Sequence, residues 1–550
     1  MPIYIDPTSP TNGAGTTADP KNTWDGLTLV VNEKYRQKRG TTCYLPTGTS
    51  KYIHANILAS NPATPLTLEA YYYSDGSDEP SLPRPEIVSD LTSHGVGTIL
   101  IRKSSNVLIQ NLKLRAVINS AYLIGGIRIY AQNAGVYTGV TIRNCEIVDH
   151  PYGVWSVLST TDAGTECNDI LIEDNEIHDN TAGIQFSFYT PLNSYFKRTT
   201  IRGNRIYNNG QRTTAGVVPQ GISFNYGSGV ANDNTRSWKD VLIYDNDIYN
   251  NEGYPLAVRN VFNETLQSRI YNNRVHDNNK TELYDSHGIF AAYCFGTIVE
   301  RNTITGNSGY AVGPFGTACG IIIDTDVGSG IGGDGVIVRN NIIDGGWVNY
   351  NFGGGGSEAV NAQAGIFVIN NSNCTIEGNL IRGFHSGIGT YASTGGTPLT
   401  KLNGLVIRNN VIADLLESSS TKTAVGISLR SGMTTLIENN ILSNCRQGIW
   451  AVDTLTLPTE RNNCIFAPRN GVYFAQSATI DVTTPTVALN GSDTIADPLL
   501  DANLFISSAT SPAYRTGNHA GYKADRQGSQ RWNPPSLGAY EYVKPRLSRI

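Results

Sequence analysis

The carboxylates best placed to do chemistry gather in the middle of the 550-residue chain, at Glu252, Asp285, Asp324 and Asp326. Paired Asp or Glu side chains cleave glycosidic bonds: one protonates the leaving oxygen while the other attacks the sugar or activates water. A gap of about 5 Å suits a retaining reaction and a wider gap an inverting one. Glu252 and Asp285 each stand three residues before a strand-like segment, which begins at Pro255 in one case and Gly288 in the other. If those segments are successive rungs of one parallel stack, the two acids lie about one strand spacing apart, roughly 5 Å. Asp324 projects from the following rung, and alternation keeps Asp326 on the same face. Arg259 and His287 come close enough in this register to tune the acids by charge. The rival chemistry is calcium-assisted elimination, with Asp324, Asp326 and Asp334 as oxygen ligands and Arg259 as base or charge neutraliser. Loop acids are also often no more than solvated turn residues.

A register of this kind needs a repeat, and the composition supplies one. Gly numbers 57 and Asn 53, about a tenth of the chain each. Asn recurs in the pattern N-x-I at Asn175, Asn204, Asn246, Asn273, Asn302, Asn341, Asn379, Asn410, Asn440 and Asn463, with Cys145 in the same place one turn earlier. Interleaved with it, Gly precedes Ile or Val at Gly126, Gly153, Gly183, Gly221, Gly288, Gly320, Gly365, Gly387, Gly426, Gly448 and Gly471, and Pro255-Leu256 fills the one gap. The shortest Asn-to-Gly step is 8 residues and the shortest Gly-to-Asn step 14, so a minimal turn is 22 residues. Short Ile- and Val-rich strands at that period exclude helical repeats, which need about 33 residues or more. A parallel β-helix fits, with Asn side chains laddered between turns and Gly at a tight bend. His150, His178 and His276 follow the Asn strands and read as turn residues.

Alternation assigns the faces. The first and third residues after each Gly point inward, the second and fourth outward. The outward set includes Trp155, Gln185, Asn225, Arg259, Phe290, Asp324, Tyr391 and Trp450. Aromatic rings stack on the apolar faces of sugars, and amides and guanidinium groups fix their orientation, so Trp155, Gln185, Asn225, Arg259, His287, Phe290, Tyr391 and Trp450 are the expected substrate-binding residues. The alternative is that long loops or a partner subunit cover them. The Asn-to-Gly connection lengthens to 17 residues after Asn204, 15 after Asn273, 18 after Asn302 and 24 after Asn341, loops expected to wall a groove.

The remaining composition narrows the field. With 41 basic against 46 acidic residues, a net charge of −5, the chain is no polybasic nucleic-acid binder. Its apolar runs are too short to span a membrane. The opening residues show no secretory signal. Eight scattered cysteines lack metal spacing and read as buried thiols from a reducing compartment. Residues 1–85 are expected to form an N-terminal cap with a helix over 22–40, residues 86–475 the β-helix, and residues 476–550 an irregular C-terminal cap.

Residues 86–475 resemble the pectate-lyase-like superfamily of right-handed parallel β-helices. The stretch YIDPTSPTNGAGTTADPKNTW, from Tyr4, is similar to that family's opening, and ADPLLDANLFISSATSPAYRTGNHAG with SLGAYEY is similar to the C-terminal segment of many secreted or phage-encoded members. The resemblance implies an all-β chain folded as a right-handed single-stranded parallel β-helix. Ser286-His287-Gly288 resembles the Gly-His-Gly of polygalacturonases with Ser in first place, and Asp324-Thr325-Asp326 resembles their Asn-Thr-Asp in reversed order. Together the features resemble a bacteriophage tailspike depolymerase. That implies a bacterial surface polysaccharide as substrate, a phage tail and a homotrimer as assembly, and the virion as location, with a secreted bacterial protein as the alternative. A cofactor-free glycoside hydrolase is the expected activity, with calcium-assisted lyase or non-catalytic adhesin as rivals.

Overall fold

The computed structural model describes residues 1–541 except 57–58, 118–121, 133, 159–163, 189–192, 212–213, 215, 227–235, 280–285, 308–317, 325–332, 346–363, 392–402, 417–423, 431–433, 453–457, 467–470, 477–491, 519–523, 526, 528 and 532–533. The chain forms two compact units, Met1–Ser268 with Asn278–Thr281 and Arg269–Asp277 with Glu282–Ile550. Among the described residues every regular element is a strand, and no helix is long and apolar enough to cross a membrane.

In unit 1 each turn of chain lays down one strand in each of three parallel sheets. One such turn is Thr165–Glu173 in the first sheet, Glu176–His178 in the second and Ala182–Phe188 in the third. The third sheet runs Ile53–Asn56, Val96–Arg102, Ile124–Ala131, Tyr152–Leu158, Ala182–Phe188, Gln220–Tyr226 and Tyr254–Arg259, each strand pairing in parallel with the next. Its inward column, Ile99, Ile127, Val154, Ile184, Ile222 and Leu256, is wholly buried. Phe186, Phe188, Phe196, Phe224 and Trp238 fill the same interior, with the Phe186 and Phe224 rings stacked 4.8 Å apart. Unit 2 repeats the arrangement. Its third sheet runs Ser286–Ala292, Ala318–Asp324, Ala364–Ile369, Ser386–Tyr391, Val425–Arg430, Gln447–Val452 and Gly471–Gln476 over a buried column of Ile289, Ile321, Ile366, Ile388, Ile427 and Ile449.

The Asn repeat is a ladder between the first and second sheets. In unit 1 the Asn204 Oδ1 accepts both the backbone N–H of Asn175 at 3.0 Å and its side-chain amide at 2.9 Å, and Asn246 serves Asn204 in the same way. In unit 2 the chain of bonds runs Asn273, Asn302, Asn341, Asn379, Asn410, Asn440 and Asn463, where Asp493 takes over as acceptor. Rungs are 23 to 42 residues apart in sequence, so the minimal turn of the repeat is lengthened by insertion almost everywhere. The residue before each ladder position is left-handed, with φ of 55° at Asp174, 54° at Asp245, 57° at Asn340 and 56° at Asn409. Asn, Asp and Gly tolerate that conformation best, which explains why the residue before the ladder position is Asn, Asp or Gly on every rung from Asn175 to Asn463 except at Arg301, with φ of 55°.

A second ladder follows five residues later: Asn209 serves Asn180, Asn251 serves Asn209 and Asn278 serves Asn251, with His150 in the first place. In unit 2 Asn307 keeps the place, donating to Val275 O at 3.1 Å, and later turns fill it with buried Phe384, Leu415 and Cys445. On the outer side of the first sheet in unit 2, successive rungs alternate in charge as Glu300, Arg339, Glu377, Arg408, Glu438 and Arg461. Ion pairs of 2.7–2.8 Å run along the stack, the favourable cross-strand arrangement for opposite charges.

One expectation at the chain ends is corrected. No helix forms over 22–40. Gly26 and Asn32 turn the chain at φ of 76° and 60°, and Lys34–Lys38 is a strand between Ile3–Ile5 and Leu66–Tyr71. Tyr35 and Gln37 are buried in alternation, so the periodicity there is two. Strands therefore stack in the three sheets from Ile3 onward. At the other end, Asp493 and Thr494 of the C-terminal segment add to the last rung, and the described residues beyond them run along the side of the stack. Leu504, Ile506, Ala513, Leu537, Ala539 and Tyr540 lie on the outer side of the second sheet of unit 2, against Leu380, Val411, Ala413, Ile441 and Cys464. Those outward positions are apolar and require a cover.

Candidate functional site

The glycines that mark the third sheet are not left-handed. They are required by proximity. A Cβ on Gly153 would stand 2.6 Å from Ile177 Cγ2 and 2.6 Å from the Gly183 carbonyl oxygen, and a Cβ on Gly320 would stand 2.2 Å from Ile343 Cγ2. Each Gly lets the third sheet close onto the buried Ile of the second. Thr98 occupies the same register in the turn before Gly126, where it bonds His150 Nε2 at 3.0 Å. This contact fixes which residues of the third sheet face outward.

In unit 1 the outward positions form two rows. The row two residues beyond the Gly holds Leu100, Arg128, Trp155, Gln185 and Ser223. The row four beyond holds Arg102, Tyr130, Val157, Ser187 and Asn225, and Arg259 has the same place after Pro255. The inner row faces outward as expected but is packed. Trp155 is 3% exposed and Gln185 7%. The Arg128 guanidinium lies 4.4 Å from the Trp155 ring and 4.3 Å from that of Tyr130. Tyr152 stacks on Trp155 at 4.5 Å, and Val217 joins the same cluster. Gln185 Nε2 donates to Ser187 Oγ at 2.9 Å. Trp155 and Gln185 are thus neighbouring rungs, as the register requires, but covered rather than open. In the outer row Val157 and Ser187 are buried, whereas Arg102, Tyr130, Asn225 and Arg259 are half-buried and are the reachable residues of this face.

In unit 2 exposure is mixed in both rows. Phe290 is buried, and His287 stacks on it at 5.6 Å. His287 Nδ1 accepts the Cys319 backbone N–H at 3.3 Å, and burial pushes its pKa down to about 3. These two residues are therefore packed instead of open to a ligand. Asp324 closes its strand in register with Ala292 and is half-buried. Trp450 is half-buried beside Ser428. The strand position of Tyr391 is opposite Ile369, and its side chain lies outside the described residues.

The acids are placed unequally. Glu252 sits in the bend before Tyr254–Arg259, 2% exposed. Its backbone N–H donates to Asn209 O at 2.8 Å and its Oε1 accepts Gln211 Nε2 at 3.1 Å. Asp285 and Asp326 lie outside the described residues. Asp334 is exposed and accepts Asn373 Nδ2 at 2.7 Å. Among the described residues no three His, Cys, Asp or Glu side chains converge as a metal site. All eight cysteines are free and buried, and burial pushes the Cys145 thiol up to about 11. Arg102 escaped the sequence reading because Thr98 replaces the marker Gly in its strand; the alternation Ile99-Leu100-Ile101 was the signal that could have found it.

No curated protein matches the sequence. Among solved structures, the chain is similar to the GH136 lacto-N-biosidase from Eubacterium ramulus, at 11% identity over 90% of this chain and 67% of that one, TM-score 0.40. It is similar to the Dettilon tailspike protein at 13% identity over 82% of this chain and 68% of that one, TM-score 0.41. It is also similar to the A-module of a mannuronan C-5 epimerase from Azotobacter vinelandii, at 14% identity over 74% of this chain and 88% of that one, TM-score 0.37. The family model described as "Right handed beta helix region" matches residues 125–343 and 331–497. With its stacked parallel sheets, Asn ladders and matched repeat, the chain belongs to the right-handed β-helix family.

Proposed function

We propose that the protein binds a polysaccharide along the strand ends of the third sheet and hydrolyses it with a pair of carboxylates drawn from Glu252, Asp285, Asp324 and Asp326. The observation that carries this reading is the group of half-buried residues in the outer row. Tyr130, Asn225 and Arg259 offer a ring, an amide and a guanidinium at the strand ends of unit 1. These are the groups that stack on sugar rings and hold hydroxyls, and sites for small ligands combine them in this way. The substrate proposed is a bacterial surface polysaccharide and the protein a tailspike-type depolymerase. Eight buried free thiols support folding in a reducing compartment before such an assembly.

The test is incubation with capsular, O-antigen and exopolysaccharide preparations. Shorter saturated products support hydrolysis. Unsaturated uronate products, lost with chelator, would replace it with calcium-assisted elimination, and binding without cleavage would replace it with an adhesin. Glu252→Gln, Asp285→Asn, Asp324→Asn and Asp326→Asn separate the acids: loss of a catalytic one should lower turnover by about a hundredfold or more. Full activity in all four would remove the carboxylate mechanism. Asn225→Ala and Arg259→Ala should raise KM at constant melting temperature, whereas Trp155→Ala should lower the melting temperature.

A further inference from the structure

The outer side of the second sheet in unit 1 holds a cleft of about 480 Å³ that the strand-end row does not touch. Residues 80–84 line it together with Lys113, Asn144 and Glu146. Pro80, Leu82 and Pro83 are its apolar part. Arg39 anchors that wall: it holds Asp78 through two bonds of 2.6 and 2.8 Å and donates to Leu82 O at 2.8 Å. The volume falls within the usual range for small-ligand pockets, about 300–1,000 Å³.

The charges that line the cleft do not balance. Glu146 is approached by Lys113 Nζ at 2.8 Å, His178 Nε2 at 3.6 Å and Arg84 Nη1 at 3.8 Å. The other bond of Arg84 goes to a neutral acceptor, Asn144 Oδ1, at 2.9 Å. On the flanks, Glu86 is matched by Arg115 at 2.8 Å and His178 by Asp179 at 2.7 Å. Among the residues that line the cleft, Arg84 and Lys113 thus face the one carboxylate of Glu146, Arg39 being matched by Asp78, while beside the cleft Arg115 faces both Glu86 and Asp149. His178 and Lys113 hold the Glu146 pKa down to about 2, so it serves as a fixed counter-charge and not as an acid. The Arg84 and Lys113 side chains are 23% and 31% exposed, which leaves their remaining N–H donors accessible.

We propose that this cleft binds a hexuronate unit, its carboxylate on Arg84 and Lys113 and an apolar ring face on Pro80, Leu82 and Pro83. A single excess positive charge suits a monoanion better than a phosphate dianion, and a planar guanidinium beside an ammonium suits a carboxylate. The apolar wall requires more than a bare anion. The site is independent of the strand-end reading, because it lies on a different sheet.

The experiment is calorimetric titration of the full chain with galacturonate and glucuronate, against galactose, glucose and acetate. Saturable uronate binding is expected, with the neutral sugars and acetate each about tenfold weaker or more. Arg84→Gln and Lys113→Gln should each weaken uronate binding by about tenfold without moving the melting temperature, and Lys113→Arg should retain most of it. Because Lys113 is the more exposed of the two, its variant decides the matter if Arg84→Gln fails to fold. Three results would overturn the proposal: neutral sugars binding as well as uronates, acetate binding as well as uronates, or unchanged uronate affinity in the Gln variants.

Discussion

Replacing Asn204 with Ala should cost far more than its size suggests. The side chain is 1% exposed. Its Oδ1 accepts two bonds from Asn175, at 3.0 and 2.9 Å. Its Nδ2 donates to Ile172 O, Arg202 O and Asn246 Oδ1, all at 2.9 Å. Ala leaves the Asn175 backbone N–H with no acceptor from this rung and removes one donor from the Ile172 carbonyl. The Asn246 Oδ1 keeps the Asn204 backbone N–H at 3.1 Å, so the damage is confined to one step of the ladder. Each stranded buried group costs about 1–3 kcal/mol, which puts the total loss at roughly 2–6 kcal/mol. For a cooperative unit of a few hundred residues, each kcal/mol lowers the melting temperature by about 2 °C, so a fall of roughly 4–12 °C is expected. Differential scanning calorimetry and urea unfolding should agree on the sign and order. The control is Arg205→Ala, whose side chain is 53% exposed and which should change stability by less than about 1 kcal/mol. A loss below about 1 kcal/mol in Asn204→Ala would refute the claim that the ladder bonds stabilise the fold.

Gly153→Ala should destabilise by about 1–3 kcal/mol or more, because the clashing carbonyl of Gly183 cannot yield as a side chain can. Gly40→Ala, at φ 69° with open space around its Cβ, should cost about 1 kcal/mol; equal melting shifts in the two variants would contradict the close-packing account. Burial pushes the His150 pKa from 6.5 down to about 3. The unfolded chain therefore takes up its proton first, and stability falls as pH drops from about 6.5 to about 3, at up to roughly 1.4 kcal/mol per pH unit. His150→Asn should flatten that limb in melting curves taken at successive pH values. Truncation after residue 496 should bare Leu380, Val411 and Ile441 and raise the fluorescence of a hydrophobic dye, an increase that the intact chain should not show.

The architecture was legible because it depends on side chains that serve each turn in the same way. Asn in the ladder and Gly against the buried Ile are set by contacts repeated on every rung, so they recur in sequence whatever the loops do. The second ladder was just as regular, at five residues beyond the first in Asn175–Asn180, Asn204–Asn209, Asn246–Asn251 and Asn273–Asn278. It does not stand out in the sequence because Asn and Asp crowd every bend for their left-handed tolerance. The misread helix over 22–40 has a similar origin. Its apolar residues are compatible with a helical period, but Gly26 and Asn32 break the segment, and the strand left over is five residues long. The cover over the second sheet of unit 2 could have been foreseen. There the outward residues change from charged to apolar, as Ile342, Leu380, Val411 and Ile441 replace the Glu146, Glu176 and Arg205 seen in unit 1.

The site was legible to the same extent that it depends on register. Asn225, Arg259 and Asp324 needed a count of four from the strand marker, and each stands at a strand end, half-buried. Burial does not follow from the count. The insertion after Asn204, expected to wall a groove, also roofs it, since Val217 from that loop packs on Trp155. Exposure varies along both rows: Val157, Ser187 and Ala292 are buried at strand ends, and Trp450 is half-buried in the row nearest the Gly. A carboxylate three residues before a strand is a different case, because its direction depends on the path of the bend. Glu252 shows the consequence: the bend turns it beneath Gln211 and against Gly210, so its distance in sequence from Pro255 does not set its reach. Acids supplied by bends must therefore be assigned one at a time by substitution, whereas the outward row proposed to bind substrate can be read from the repeat.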